Sequence, residues 1–123
     1  MPKLLHFEDD LTFASYFMNE LTVRGFSVVH LAYPPVDVAA LVLKEKPDIL
    51  VSDIVMPGMD GFALAKFIKN QTATKHIPLV LLTSLGNERY RQEGLDAGAD
   101  VYLTKAEFDA DEFLNSLLTL LAR

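Results

Sequence analysis

The chain has 123 residues, no cysteine, and 17 acidic against 11 basic side chains, a formal net charge of −6. The length suits one compact domain, and an apolar half of the residues is enough for a core. The missing cysteines exclude disulfides, thiolate metal sites and cysteine nucleophiles, and so acidic a chain is a poor candidate for direct nucleic-acid binding, which needs a basic face.

No apolar run is long enough to span a membrane. Met1-Pro2-Lys3 leads directly into an apolar segment, with no signal-peptide pattern. The expectation is a cytoplasmic domain filling residues 1–123, with no output domain.

In chain order, a first strand is predicted near 3–7 and runs into Glu8-Asp9-Asp10. Residues 10–24 have helical spacing, with Leu11, Ala14, Met18 and Leu21 on one stripe, Phe13 and Phe17 beside it, and Gly25 as the stop. A second strand follows near 27–31. Pro34-Pro35 is predicted to open a second helix, with Val38, Leu41 and Val42 facing inward and an end before Pro47. A third strand near 48–52 leads into Asp53, and a third helix after Asp60-Gly61 carries Phe62, Leu64, Ala65 and Ile68. The fourth strand, near 77–83, ends at Thr83.

The fourth helix, 87–97, has the weakest apolar face, and Gly94 within it costs ~1 kcal/mol relative to alanine. It reads equally as a moving part or as a plain exposed helix. A fifth strand near 99–104 leads into Lys105. The last helix begins at Asp109-Ala110-Asp111, whose acids suit a helix N-terminus. Its broad apolar arc is Phe113, Leu114, Leu117, Leu118, Leu120 and Leu121. The outer edge of that arc, Leu114, Leu118 and Leu121, is predicted to exceed what the sheet covers and to meet a partner.

Five strands alternating with five helices predict an α/β fold, a doubly wound parallel sheet covered on both faces. Parallel strands bring their carboxyl ends to one rim, where open α/β sheets carry their chemistry. Glu8, Asp9, Asp10, Asp53, Thr83 and Lys105 all stand at such ends. Acids, a hydroxyl and a lysine together describe a divalent metal beside a phosphoryl-accepting carboxylate. A carboxylate attacks a phosphoryl group only when the charge between them is neutralised. Asp10 fits better as the cap of the first helix than as a ligand. His6 and His30 fall in strands and read as core or edge residues.

Phe7-Glu8-Asp9-Asp10, Asp53-Ile54-Val55-Met56-Pro57-Gly58-Met59-Asp60-Gly61, Leu82-Thr83-Ser84 and Gly98-Ala99-Asp100-Val101-Tyr102-Leu103-Thr104-Lys105 resemble the receiver domain of two-component response regulators. The resemblance covers the whole chain and includes chemotaxis-type single-domain receivers. It implies a flavodoxin-like fold with strand order 2-1-3-4-5. It implies that Asp53 is the phosphoacceptor, served by a sensor histidine kinase or phosphotransfer protein. Glu8, Asp9, Asp53 and the backbone carbonyl of Val55 would hold Mg²⁺, with Mn²⁺ as a substitute. Lys105 would pair with Asp53 and then with the phosphoryl group, and Thr83 would bond a phosphoryl oxygen. Tyr102 would then turn inward and reshape the face of the fourth helix, fifth strand and fifth helix, toward a downstream target or a second copy of the chain. The resemblance thus implies a switch that would catalyse only its own phosphorylation and dephosphorylation.

Two departures stand out. Ala106 occupies the position after the lysine where proline is usual, so a trans bond is expected, since cis before a non-proline costs ~3 kcal/mol, and loop 104–109 is expected to run differently. Val55 and Leu85 are apolar where receivers flank the path of the hydrolytic water, which predicts a long-lived phosphate. Three other readings compete. Loss of Mg²⁺ binding would support a docking module that works without phosphorylation. A phosphatase would need a general acid that Val55 cannot supply, and a cap. A flavin protein would not place Glu8-Asp9-Asp10 where a phosphate must sit.

Overall fold

Five short strands form one parallel sheet in the computed structural model, which describes residues 2–123; Met1 lies outside the described residues. The elements are β1 (Lys3–Phe7), α1 (Leu11–Val23), β2 (Ser27–Leu31), α2 (Val38–Glu45), β3 (Ile49–Ser52), α3 (Gly61–Lys69), β4 (Leu79–Thr83), α4 (Glu88–Asp96), β5 (Val101–Thr104) and α5 (Ala110–Leu121), with a 3₁₀ turn at Lys105–Glu107. The sheet order is β2-β1-β3-β4-β5, as the resemblance implied. The order reverses at β1, so a crevice opens at the carboxyl ends of β1 and β3. Their register sets Phe7 opposite Ser52, which brings Glu8 and Asp53 out of the sheet side by side.

Successive strand side chains point to opposite faces, and both faces are buried. Leu5, Phe7, Leu50, Leu79 and Leu81 pack with Val38 and Val42 of α2 and Leu64 and Ile68 of α3. Leu4, Ile49, Val51, Val80 and Leu82 pack on the other side with Phe17 and Leu21 of α1 and Phe113 and Leu117 of α5. Each such side chain contributes about 1.5–3 kcal/mol. That burial holds the strand ends, and so the rim, in place.

Carboxylates and an amide start the helices. Asp10 accepts hydrogen bonds from the Thr12 and Phe13 amides, and Asp60, Asn87 and Asp109 cap α3, α4 and α5 in the same way. α2 begins at Val38 rather than at the Pro34-Pro35 pair: Asp37 takes the cap position, accepting from the Ala40 amide, and proline pushes the residue before it out of the helical region. β4 starts only at Leu79, since Pro78 has no N–H to give the ladder. Of the outer edge of α5, Leu118 alone is exposed; Leu114 and Leu121 pack against the core. Among the described residues, no helix is long and apolar enough to cross a membrane.

Candidate functional site at the carboxyl rim

Glu8 leaves β1 buried, at 1 % exposure. Its amide donates to the Leu31 carbonyl at 3.0 Å, and its own carbonyl meets Nε2 of His30 at 2.8 Å. Both bonds run to β2 and fix the Glu8 backbone, while its side-chain Oε2 accepts the Asp10 amide at 3.0 Å. Asp9 is exposed. Asp53 follows β3, 6 % exposed, with its amide on the Phe7 carbonyl at 3.0 Å. One oxygen, Oδ1, accepts the Ile54 amide at 2.6 Å, leaving Oδ2 facing Lys105. Carboxylate oxygens of Glu8, Asp9 and Asp53 come within 4.8 Å of one another.

Lys105 crosses from β5 and binds two of these acids, Glu8 Oε1 at 2.7 Å and Asp53 Oδ2 at 3.0 Å. Its ammonium also lies 4.9 Å from the centroid of the Phe13 ring on α1. All described peptide bonds are trans, including Lys105–Ala106. The chain then makes the 3₁₀ turn, closed by the Phe108 amide on the Lys105 carbonyl at 3.2 Å. Phe108 anchors the turn among Phe13, Tyr16, Phe17 and Phe113, at ring separations of 5.3–6.0 Å. Loop 104–109, with its trans Lys105–Ala106 bond, delivers the ammonium to the acids.

Burial pushes the Glu8 carboxyl up to about 7, and the charge of Asp53 adds to this, while the Lys105 ammonium and the Asp10 amide oppose it. Burial by itself would lower Lys105, but its bonds to Glu8 and Asp53 more than offset that and hold it above the usual range. Lys105 pairs with two of the three clustered carboxylates, which leaves an excess of acidic groups at a set of hard oxygen donors. That donor set fits a hard divalent cation such as Mg²⁺.

Thr83 is fully buried at the end of β4, its hydroxyl accepting the Leu85 amide at 3.4 Å. The Tyr102 ring is turned inward, 3 % exposed, and its hydroxyl donates to the Leu85 carbonyl at 2.5 Å. Space beside Gly94 and an acceptor on the β4–α4 turn accommodate the ring there. Val55 stands two residues past Asp53 with a 62 % exposed side chain, whereas Leu85 is half-buried against the core. His6 is core, stacked on Phe17 at 4.1 Å, its Nδ1 without a partner, and burial holds it down at about 3.

Four contributors were not legible in the motifs. Phe13 seats the Lys105 ammonium. The backbone of Leu85 links Thr83 to Tyr102. Gly61 passes so close behind the acceptor that a Cβ there would lie 2.5 Å from the Asp53 carbonyl oxygen. Gly94 lies against Tyr102. The Asp60-Gly61 pair was visible as a helix start, but nothing local signals the other three.

Residues 4–118 match the family model described as the response regulator receiver domain. Over all 123 residues the chain is 33 % identical to the DNA-binding dual master transcriptional regulator RpaA of Synechocystis, covering 50 % of that protein. The chain spans about half the length of several curated relatives it matches. Its fold superposes on the crystal structure of a protein assigned as a response regulator from Chloroflexus aurantiacus with a TM-score of 0.91, at 32 % identity and full coverage of both chains. The receiver domain of the sensor histidine kinase PA1611 of Pseudomonas aeruginosa, solved with magnesium in its active-site cleft, shares the fold at TM-score 0.87 and 22 % identity, with 99 % of this chain and 98 % of that one covered.

Proposed function

The chain belongs to the response regulator receiver domain family, whose function is phosphoacceptance in two-component signalling, and we propose that Asp53 is its phosphoacceptor. The observation that supports this most directly is the junction of Asp53, Glu8 and Lys105, with Lys105 bonded to both acids at 2.7 and 3.0 Å. An Asp53 oxygen attacks the phosphorus of a phosphohistidine. The P–N bond breaks, a P–O bond forms, and the histidine leaves as neutral imidazole once it has gained a proton. The Ile54 amide holds the other acceptor oxygen and so orients the attack. Lys105 moves with the transferred charge onto a phosphoryl oxygen, and the Thr83 hydroxyl donates to another.

Glu8, Asp9, Asp53 and the Val55 carbonyl would hold Mg²⁺, which neutralises charge between acceptor and phosphoryl group; Mn²⁺, also an oxygen-seeking cation, would substitute. The donor is a sensor histidine kinase or phosphotransfer protein, and the setting is cytoplasmic. The output face is α4–β5–α5, presented to a downstream protein or to a second copy. The net charge of −6 argues against nucleic-acid contact by this chain itself. The domain is a switch that accelerates only its own phosphorylation and dephosphorylation.

Intact mass after incubation with acetyl phosphate and Mg²⁺ tests the reading. The expected result is one added phosphoryl group in wild type, none in Asp53→Asn, and none in EDTA. No addition while Mg²⁺ demonstrably binds would overturn it in favour of a docking module that works without phosphorylation.

A further inference from the structure

Gly94 is buried in the middle of α4, where it weakens a helix already short of apolar surface. A Cβ built on it would lie 2.8 Å from Cδ2 and 3.2 Å from Cε2 of the Tyr102 ring, and 3.0 Å from Cδ1 of Leu81. Both neighbours are buried and packed on the α4 side of the sheet, so a Cβ at position 94 has to displace the Tyr102 ring from its seat. The ring fills the space that a side chain at position 94 would take. Its hydroxyl fastens the β4–α4 turn through the Leu85 carbonyl, and the amide of that same Leu85 meets the Thr83 hydroxyl. Arg91, one turn earlier on α4, donates to the Tyr102 carbonyl at 3.2 Å. Tyr102 also lines a groove of about 380 Å³ between α4 and α5, with Arg91, Thr104, Phe108 and Glu112.

We propose that Gly94 is a positioning residue: by lacking a side chain it seats Tyr102 inward before Asp53 is phosphorylated, so the output face rests in its inward-ring form. The significance of that form rests on the reading of α4–β5–α5 as the output face. The seat itself does not depend on phosphorylation. Phosphorylation then acts on a ring already in place and has little further inward rotation to drive.

The test is tyrosine nitration of the full chain, mapped by peptide mass, with exposed Tyr16, Tyr33 and Tyr90 as internal references. Unphosphorylated wild type is expected to nitrate Tyr102 at least about tenfold more slowly than the references, as burial protects it. In Gly94→Ala the rate at Tyr102 is expected to rise to within about threefold of the references as the ring is displaced. Tyr102 as reactive as the references in wild type, or equally protected in Gly94→Ala, would overturn the proposal. A thermal cycle guards against a merely misfolded variant. Gly94→Ala should lower the unfolding midpoint of wild type but raise or preserve it in a Tyr102→Leu background, where the ring is gone and alanine is the better helix former. An equal loss in both backgrounds would also overturn the seat. Because these measurements use unphosphorylated protein, failure of Asp53 to accept a phosphoryl group would count against the proposed function and leave the Gly94 result standing.

Discussion

Glu8 is held 1 % exposed beside Asp53, with one ammonium, that of Lys105, serving both acids. Its carboxyl rises from 4.5 to about 7. A raised carboxyl favours the protonated form on folding. Its contribution is therefore intact below pH 4.5 and is lost as pH rises through about 7. The loss approaches ~3 kcal/mol in the metal-free protein. Glu8→Gln in EDTA should then be ~1–3 kcal/mol more stable than wild type at pH 8 and close to it near pH 4.5, by denaturant unfolding. Asp53 still pairs with Lys105 in that variant, so no ammonium is stranded. A less stable Glu8→Gln at pH 8 would mean that the bond to Lys105 outweighs burial.

His6 carries the opposite sign. Burial lowers it from 6.5 to about 3, so folding excludes a proton that the unfolded chain binds. Stability is intact above pH 6.5 and falls by ~1.4 kcal/mol per unit as pH drops toward 3. Between 4.5 and 6.5 the two residues work against each other, and below that His6 acts alone. His6→Phe keeps a ring on Phe17 and should flatten the acid limb of a stability-against-pH curve; an unchanged slope would place the acid sensitivity elsewhere.

At the scale of elements, α1 and the 105–107 turn act together. Phe108 packs the turn onto α1, and Phe13 lies 4.9 Å from the Lys105 ammonium. A cation–π contact of this kind is worth ~0.5–2 kcal/mol. Phe13→Leu should slow acetyl-phosphate-dependent phosphorylation by roughly 2- to 10-fold, with Phe13→Tyr near wild type. Equal rates for leucine and tyrosine would show that the ring face is not what positions the lysine. The two turns flanking Asp53 invite a different comparison. Val55 projects into solvent, whereas Leu85 is half-buried and its backbone ties Thr83 to Tyr102. Val55→Asn is the cleaner probe of shielding, since the double variant with Leu85→Glu also disturbs that tie. Both should lose phosphate faster than wild type, measured as decay of the phosphorylated mass; decay no faster than wild type would remove the shielding idea.

Across the whole molecule, a cation bound only by the folded state should raise stability, by ~2.7 kcal/mol at a hundred times its dissociation constant. A thermal melt with Mg²⁺ or Mn²⁺ is expected to shift wild type upward and to shift Asp53→Asn and Glu8→Gln much less. An equal shift in all three would place the cation elsewhere.

The α/β alternation, the two-sided burial and the rim at the strand ends were legible in the chain because each rests on local pattern. Short apolar runs must pair, parallel pairing requires crossover helices, and parallel strands deliver their next residues to one edge. Glu8, Asp9, Asp53, Thr83 and Lys105 could therefore be named from their places after those runs, and the Asp10 cap from its distance to the amides it holds. What tertiary structure alone decided depends on residues far apart in sequence meeting at van der Waals range. Phe13 meets Lys105 through the packing of α1 on the turn, the raised carboxyl of Glu8 comes from its burial beside Asp53, and Tyr102 lies inward because Gly94 leaves a hole beside it. A strand pattern says that position 102 is aromatic and mostly buried. Only the assembled α4 surface says which way the ring turns.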